Sequence, residues 1–342
     1  PAAPQHGRCF FEMPAAINSP GRPPGAGKAW LRPKGGKRPL PECITSRENG
    51  KIKYACRLAG SAGARQNEGA FLAEGYKLCR DLAKSCPPRL LFYTEAALQK
   101  HPRLAETPCP QYLVAPHVAQ KLADTAAGQG VFAVLEQPRP PAGILHTGGR
   151  YLALERVQDP GNVGALLRSA AAFGYTAALL SPGCADPFAP KTLRAGMGAQ
   201  GVIPALPAED LPAVLAGLKA QGVACLAAAL EGSRPLGELA GPWPGGLCIV
   251  IGSEGQGLSR ETVAACTASV RIPIARGIES LNGCGRCAAL AFLRRGAVNS
   301  AGVPEEMAGA ARTRPCASSA ALPRGKEERY DRIRIHPILA LA

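Results

Sequence analysis

The stretch Val157-Gln158-Asp159-Pro160-Gly161-Asn162-Val163-Gly164-Ala165-Leu166-Leu167-Arg168 decides how this chain is read. An apolar run over residues 151–157 predicts a strand, and Asp-Pro-Gly-Asn a tight turn. The small and apolar residues that follow predict a helix ending near Gly174. Asp159 or Asn162 can cap that helix, and Pro160 has the fixed φ of a first helical residue. Strand, turn and helix in this order bring backbone N–H groups and polar side chains to the carboxyl edge of an open α/β sheet, where ligands bind. Arg168 lies one turn beyond Gly164 on the same face. Helical side chains lean toward the N-terminus, so its guanidinium is expected to pass over a residue without a side chain and reach the turn. The other reading is a structural turn with a surface arginine.

Beyond this stretch, apolar runs predict strands at 177–180, 202–205, 223–229, 247–251 and 269–274, with a helix at 211–219. Continuous rather than alternating runs indicate a parallel sheet covered on both faces. Upstream, residues 44–137 show a tighter alternation. A helix capped by Ser46 or Thr45 runs to about Ala59, and an apolar step at Phe71-Leu72 precedes a helix over 76–83. Strands follow at 90–93, 112–114 and 130–135, with helices at 95–100 and 117–123. That pattern predicts a small α/β/α domain. The expected organisation is a disordered basic Pro/Gly-rich arm over 1–43, the small domain over 44–137, a linker over 138–150, a second α/β domain over 151–295 and an irregular tail over 296–342.

The chain has 342 residues, 46% of them hydrophobic, which suits globular domains able to bury a core. Lys and Arg number 40 against 25 Asp and Glu, a net charge of +15. Such a surplus favours a polyanionic partner through counterion release, although a basic protein without one has the same count. The 13 cysteines are scattered, and Cys79, Cys225 and Cys248 lie in apolar runs. Reduced, buried thiols in a cytoplasmic protein are expected rather than a disulfide frame. Cys284-Gly285-Arg286-Cys287 has no second pair and no nearby His pair, so no metal site is expected. No stretch is long enough to span a membrane.

Two further stretches carry chemistry: Ile249-Val250-Ile251-Gly252-Ser253-Glu254-Gly255-Gln256-Gly257-Leu258-Ser259 and Ile272-Pro273-Ile274-Ala275-Arg276-Gly277-Ile278-Glu279-Ser280-Leu281-Asn282. Gly252, Gly255 and Gly257 let backbone come close to a ligand. A phosphate-cradling P-loop is excluded because no Lys-Ser/Thr follows, and a plain turn stays open for Gly257. Glu254 ends an apolar strand and would be costly to bury unpaired, so Asn162 or Arg168 is its expected partner, with a surface Glu as the alternative. Ser280 reads equally well as the N-cap of a last helix, with Asn282 just inside it. A dinucleotide-dependent oxidoreductase is a poor reading, since no G-x-G-x-x-G follows the first strand.

In their order and strand contexts, the three stretches resemble the motifs of the SPOUT superfamily, specifically the SpoU/TrmH-type RNA 2′-O-ribose methyltransferases, over roughly residues 44–282. The small domain is similar to the L30e-like RNA-binding domain, around 45–65 and 69–75. The resemblance implies an α/β domain with a deep C-terminal trefoil knot, S-adenosylmethionine held by the knot loops, and a homodimer with sites at its interface. It further implies an RNA substrate, ribosomal rather than transfer RNA. Carried onto this sequence, the catalytic positions are Asn162, Arg168, Glu254, Ser280 and Asn282. Cofactor contacts fall on Gly252, Ile272 and Leu281, with Ile251, Gly257 and Ile274. RNA contacts fall on Lys191 and Arg194, with Arg47, Lys53 and Arg65 in the small domain; a solvated helix face is the alternative for Lys191 and Arg194. Gly196 stands where the family often has Ser. Family proposals make the arginine at 168 a general base. A guanidinium stays protonated at neutral pH, so clamping a phosphate and stabilising a developing alkoxide suits it better.

The resemblance breaks after Asn282. There the family usually continues with small and β-branched apolar residues, whereas this chain reads Gly283-Cys284-Gly285-Arg286-Cys287-Ala288-Ala289-Leu290. Glycines weaken a helix by about 1 kcal/mol each, and Arg286 falls on a surface expected to be buried. Back-translated and read one base later, Gly-Cys-Gly-Arg-Cys-Ala permits Val-Ala-Val-Ala-Ala-Leu. A frameshift just after Asn282 is therefore a hypothesis, which a clean single frame through codon 283 on resequencing would defeat. The alternative function is a non-catalytic RNA-binding protein with a defective cofactor site.

Overall fold

The computed structural model describes residues 41–124, 128–230, 232–235, 238 and 243–271. In the first half, β1 (Glu42–Ile44), β2 (Ala70–Glu74), β3 (Pro88–Tyr93), β4 (Gln111–Val114) and β5 (Val131–Glu136) form one sheet in the order β1-β4-β3-β5-β2. β1, β4 and β3 run parallel, while β5 is antiparallel to β3 and β2. The helices are α1 (Gly50–Gly60), α2 (Ala62–Glu68), α3 (Tyr76–Leu82), α4 (Glu95–Lys100) and α5 (Pro116–Leu122). Ile52, Ala55 and Leu58 of α1 and Val118 and Leu122 of α5 share a core with Phe92 and Phe132. Cys79 and Leu82 of α3 and Ala97 of α4 share a second core with Phe71 and Tyr93.

The three layers are as expected, but two details differ. Asn49, not Ser46 or Thr45, caps α1, its Oδ1 accepting the Lys51 N–H at 2.9 Å. β1 and α2 escape pattern reading because each buries a single residue, Ile44 in β1 and Arg65 in α2.

In the second half, β6 (Arg150–Glu155), β7 (Ala177–Leu180), β8 (Ala205–Pro207), β9 (Ala224–Ala228), β10 (Arg234–Pro235), β11 (Leu247–Gly252) and β12 (Ala268–Arg271) form one sheet, ordered β10-β12-β9-β11-β6-β7-β8. Every pairing is parallel. The strand expected at 202–205 starts later, at Ala205, because Ala199–Gly201 forms a 3-10 turn. The helices are α6 (Pro160–Ala172), α7 (Pro190–Gly196), α8 (Leu211–Ala220) and α9 (Arg260–Ala265). Val163, Leu166 and Leu167 of α6 pack with Leu152, Leu154 and Ile249. Leu211, Leu215 and Leu218 of α8 pack with Tyr151, Ala153 and Val250, the alternate residues of the same strands. Strands buried on both sides explain the continuous apolar runs.

The halves share a core. Phe188 and Leu193, on the approach to α7 and within it, belong to the cluster of Phe71, Leu82 and Tyr93, and the Phe71 and Phe188 rings lie 5.0 Å apart. None of the nine described cysteines forms a disulfide. Burial pushes the Cys79 and Cys266 thiols up to about 12, so both stay protonated near neutrality. Among the described residues no group of His, Cys, Asp and Glu is placed to hold a metal, and no helix is long and apolar enough to cross a membrane. Of the basic arm expected over 1–43, residues 1–40 lie outside the described residues, as do the irregular tail, Cys284-Gly285-Arg286-Cys287 and the segment assigned to the knot; Glu42 and Cys43 belong to β1 instead.

Candidate active site

From β6 the chain runs through α6 to β7 on one side, and from β11 through α9 to β12 on the other. β6 and β11 are neighbours, so the crevice beyond their carboxyl ends is the point where strand order reverses, the usual ligand position of an open parallel sheet. Glu155 and Gly252 face each other in register at that edge.

Asp159 caps α6, its Oδ1 accepting the Asn162 N–H at 2.8 Å, and Pro160 opens the helix. That hydrogen bond, with Lys191 Nζ 3.3 Å from Oδ2, holds the Asp159 carboxyl below the usual aspartate range. Because Asp159 does the capping, the Asn162 side chain is left to reach across the crevice. Its Nδ2 donates to Glu254 Oε1 at 2.7 Å. Of the two partners expected for Glu254, the structure brings Asn162.

The turn carrying Glu254 closes on itself. The Gly257 N–H reaches Ser253 O at 3.0 Å, and Ser253 Oγ accepts the Gln256 N–H at 3.2 Å. A Cβ on Gly252 would stand 2.3 Å from the Gly257 carbonyl, and Gly257 has φ +67°. Both glycines are thus demanded by the turn itself. Gly255 differs, since nothing lies within 4 Å of where its Cβ would be.

Glu155 belongs to the site and was not anticipated. It is buried, and its Oε2 accepts the Ser259 N–H at 2.9 Å, pinning the far end of the same turn. Ser259 then caps α9 through the Thr262 N–H. The signal was a carboxylate ending an apolar strand, the same signal that singled out Glu254. Next to it, Arg156 adopts φ +52° with its N–H on Ser181 Oγ.

Several expected positions need correction. The missing side chain of Gly164 does not give passage to Arg168. A Cβ there would meet Thr192 O at 2.5 Å, so the glycine exists to let α7 lie against α6. Arg168 is exposed and has no hydrogen-bond or ion-pair partner among the described residues. Six residues along α6, it sits about 240° around the axis from Asn162, so it does not join the Asn162–Glu254 pair. The Ile251 side chain is 1% exposed in the α6-side core, which leaves only its backbone for the cofactor contact expected there. Arg65 is 4% exposed, with Nη1 on Leu58 O and Ala59 O at 2.6 and 2.9 Å and Nε on Asp186 Oδ2 at 2.7 Å. It has no surface to offer a phosphate. Arg194 is ion-paired to Asp124 of the first half. Lys191, Lys53 and Arg47 remain at the surface, the first two in exposed ion pairs with Asp159 and Glu48 and the third on His117 O. Ile272, Ile274, Ser280, Leu281 and Asn282 lie outside the described residues.

The described part of the crevice suits a flat adenosine-bearing cofactor: a turn with glycine at 252, 255 and 257, open at Gly255, at the carboxyl end of a central strand. Comparison with known proteins bears on the rest. The MRM3-like substrate binding domain matches residues 49–133, and the SpoU rRNA methylase family matches residues 149–287. An uncharacterised tRNA/rRNA methyltransferase of Synechocystis is 35% identical over 247 residues, covering 70% of this chain and 88% of that protein. The chain belongs to the SpoU rRNA methylase family. Another relative, the 23S rRNA (guanosine(2553)-2′-O)-methyltransferase RlmP of Bacillus subtilis, is 30% identical over 74% of this chain and 99% of its own length. Among solved structures, an rRNA methyltransferase from Sinorhizobium meliloti with bound AdoMet superposes with a TM-score of 0.66 at 28% identity, covering 76% of this chain and 99% of that one.

Proposed function

We propose that this member of the family transfers the methyl group of S-adenosylmethionine to a ribose 2′-hydroxyl of ribosomal RNA. The observation that carries the reading is the 2.7 Å bond from Asn162 to Glu254, which joins the turns after β6 and β11 at the switch point of the sheet. S-adenosylmethionine, when bound, supplies a methyl group on a sulfonium, electrophilic enough for an alcohol oxygen to attack. The chain's own part is placement, which can remove roughly 7–11 kcal/mol of barrier at best. The open turn at Gly255 and the backbone of Gly252 receive the cofactor, together with Ile272, Ile274 and Leu281. Asn162 fixes one carboxylate oxygen of Glu254, and the other, Oε2, accepts a hydrogen bond from the ribose. Ser280 and Asn282 complete the sugar's surroundings. The cofactor held there would give up its methyl by cleavage of the S–CH3 bond, leaving S-adenosylhomocysteine, and the hydroxyl proton would leave to phosphate or water.

Arg168 clamps the nucleotide phosphate and stabilises the developing alkoxide. Its place on α6, turned away from Asn162 of the same chain, fits a homodimer in which the arginine of one copy serves the site of the other. A trefoil knot beyond β12, an L30e-like fold for the first half, RNA contacts from Lys191, Arg47 and Lys53, and a cytoplasmic setting complete the proposal. Support comes from the family match and from the rRNA methyltransferases among the relatives.

Arg168→Ala tests the division of labour. Turnover falls at least a hundredfold while S-adenosylmethionine affinity by calorimetry stays within twofold. Loss of cofactor binding contradicts the role. The departure at residues 283–287 favours a second reading, an RNA-binding protein without cofactor; absence of heat from the wild-type protein with S-adenosylmethionine, RNA affinity persisting, supports it.

A further inference from the structure

Two of the arginines expected to touch RNA instead join the halves of the chain, and Arg65 does so in the interior. Its Nη1 donates to both the Leu58 and Ala59 carbonyls at the C-terminal end of α1, while Nε donates to Asp186 Oδ2 at 2.7 Å. The other oxygen of Asp186 accepts the Phe188 N–H at 2.8 Å, which aims the Phe188 ring at Phe71. Four residues on from Asp186, Pro190 opens α7, whose Lys191 reaches Asp159, the cap of α6. Gln137 Nε2 donates to Arg65 O at 3.1 Å, tying down the chain just before the 138–150 connection. A continuous set of contacts therefore runs from α1 to the turn that bears Asn162.

Resting on the methyltransferase reading above, we propose that Arg65 and Asp186 form a latch that holds the substrate-binding half at one orientation to the crevice. Both are positioning residues: they touch neither RNA nor cofactor, and act by placing the RNA gripped by the first half so that its ribose meets the Asn162–Glu254 turn. The connection 138–150 alone, read as a linker, would let the halves swing. The pair resists that: Arg65 is buried and Asp186 half-buried, so parting them leaves the Arg65 charge without its carboxylate in the seam. Displacements near 1 Å can cost about a hundredfold in rate, so the latch is expected to show in kcat rather than in affinity.

The test compares the full-length wild-type chain with Arg65→Gln, Asp186→Asn and the double variant, using in-vitro-transcribed ribosomal RNA and S-adenosylmethionine. Each single variant lowers kcat at least tenfold, the double variant is no worse than either single, and dissociation constants for rRNA and for S-adenosylmethionine stay within twofold. Hydrogen exchange rises over residues 186–193 but not over 131–136 or 247–252. Arg65→Lys, which keeps the charge opposite Asp186 but not the Nη1 contacts on α1, lies between; it carries the test if Arg65→Gln does not fold. Unchanged kcat, or unchanged exchange over 186–193, overturns the latch. So does a weaker rRNA affinity with a salt dependence shallower by about one unit of slope, the signature of a lost phosphate contact. A wild-type protein that transfers no methyl group to rRNA fails the methyltransferase reading instead, and exchange still decides whether the halves are latched.

Discussion

Asn162–Glu254 and Arg65–Asp186 both bridge distant parts of the chain at 2.7 Å, yet one lies in solvent at the mouth of the crevice and the other in the seam between the halves. Polar pairs in water contribute little, about 0–1 kcal/mol, because water competes for each partner. A ligand can compete in the same way, so the exposed pair remains available for substrate. Arg65 has no such freedom: at 4% exposure, with its guanidinium already on two carbonyls and a carboxylate, it can only hold parts of the protein together. Side chains of similar chemistry thus serve chemistry or assembly according to burial.

The difference can be broken most forcefully at the seam. Asp186→Ala leaves the Arg65 charge buried and uncompensated, and unfolding in urea should show a loss of about 3 kcal/mol. A loss below about 0.5 kcal/mol would place Arg65 in solvent and erase the contrast. Gly164→Ala sharpens the picture at the α6–α7 contact. A methyl group 2.5 Å from the Thr192 carbonyl must push the helices apart, costing about 1–3 kcal/mol, although alanine is the better helix former. An unchanged or raised stability would show that the helices have room.

Asp159→Ala probes the crevice side, with a loss of about 1 kcal/mol at neutral pH from the missing cap. The pH dependence has a definite sign. Asp159 is held below its ordinary value of 3.8 by the Asn162 N–H and by Lys191, so it binds protons more readily in the unfolded chain. Its stabilisation is complete above the ordinary carboxylate range and is lost as pH falls through 3.8 toward the lower folded value. Wild type and variant should therefore converge in acid melts. A gap that persists at low pH would mean that the carboxylate charge is not what caps α6.

Much of this was legible in the residues. Continuous apolar runs marked the parallel sheet because each strand is buried on both faces. Asn162 was one of the two partners expected for Glu254, but the premise of a buried carboxylate fails: Glu254 is exposed, two residues beyond the end of β11, so the pair forms at the surface. What escaped depends on packing across space. Gly164 looks the same whether it clears a path for a guanidinium or admits a neighbouring helix. Arg65 sits in a short polar helix that reads as surface, and nothing local reveals that Asp186, 121 positions away, lies opposite. Glu155 stood beside the quoted motif, its partner Ser259 104 positions on.

The central claim is that the crevice beyond β6 and β11 methylates a ribose oxygen. Incubating the full chain with methyl-labelled S-adenosylmethionine and in-vitro-transcribed ribosomal RNA, followed by alkaline hydrolysis, tests it directly. A methylated 2′-oxygen cannot attack the adjacent phosphate, so the account expects the label in alkali-resistant dinucleotides, and its loss with Glu254→Ala. Label released in mononucleotides carrying a methylated base, or undiminished transfer by the Glu254→Ala protein, would contradict it.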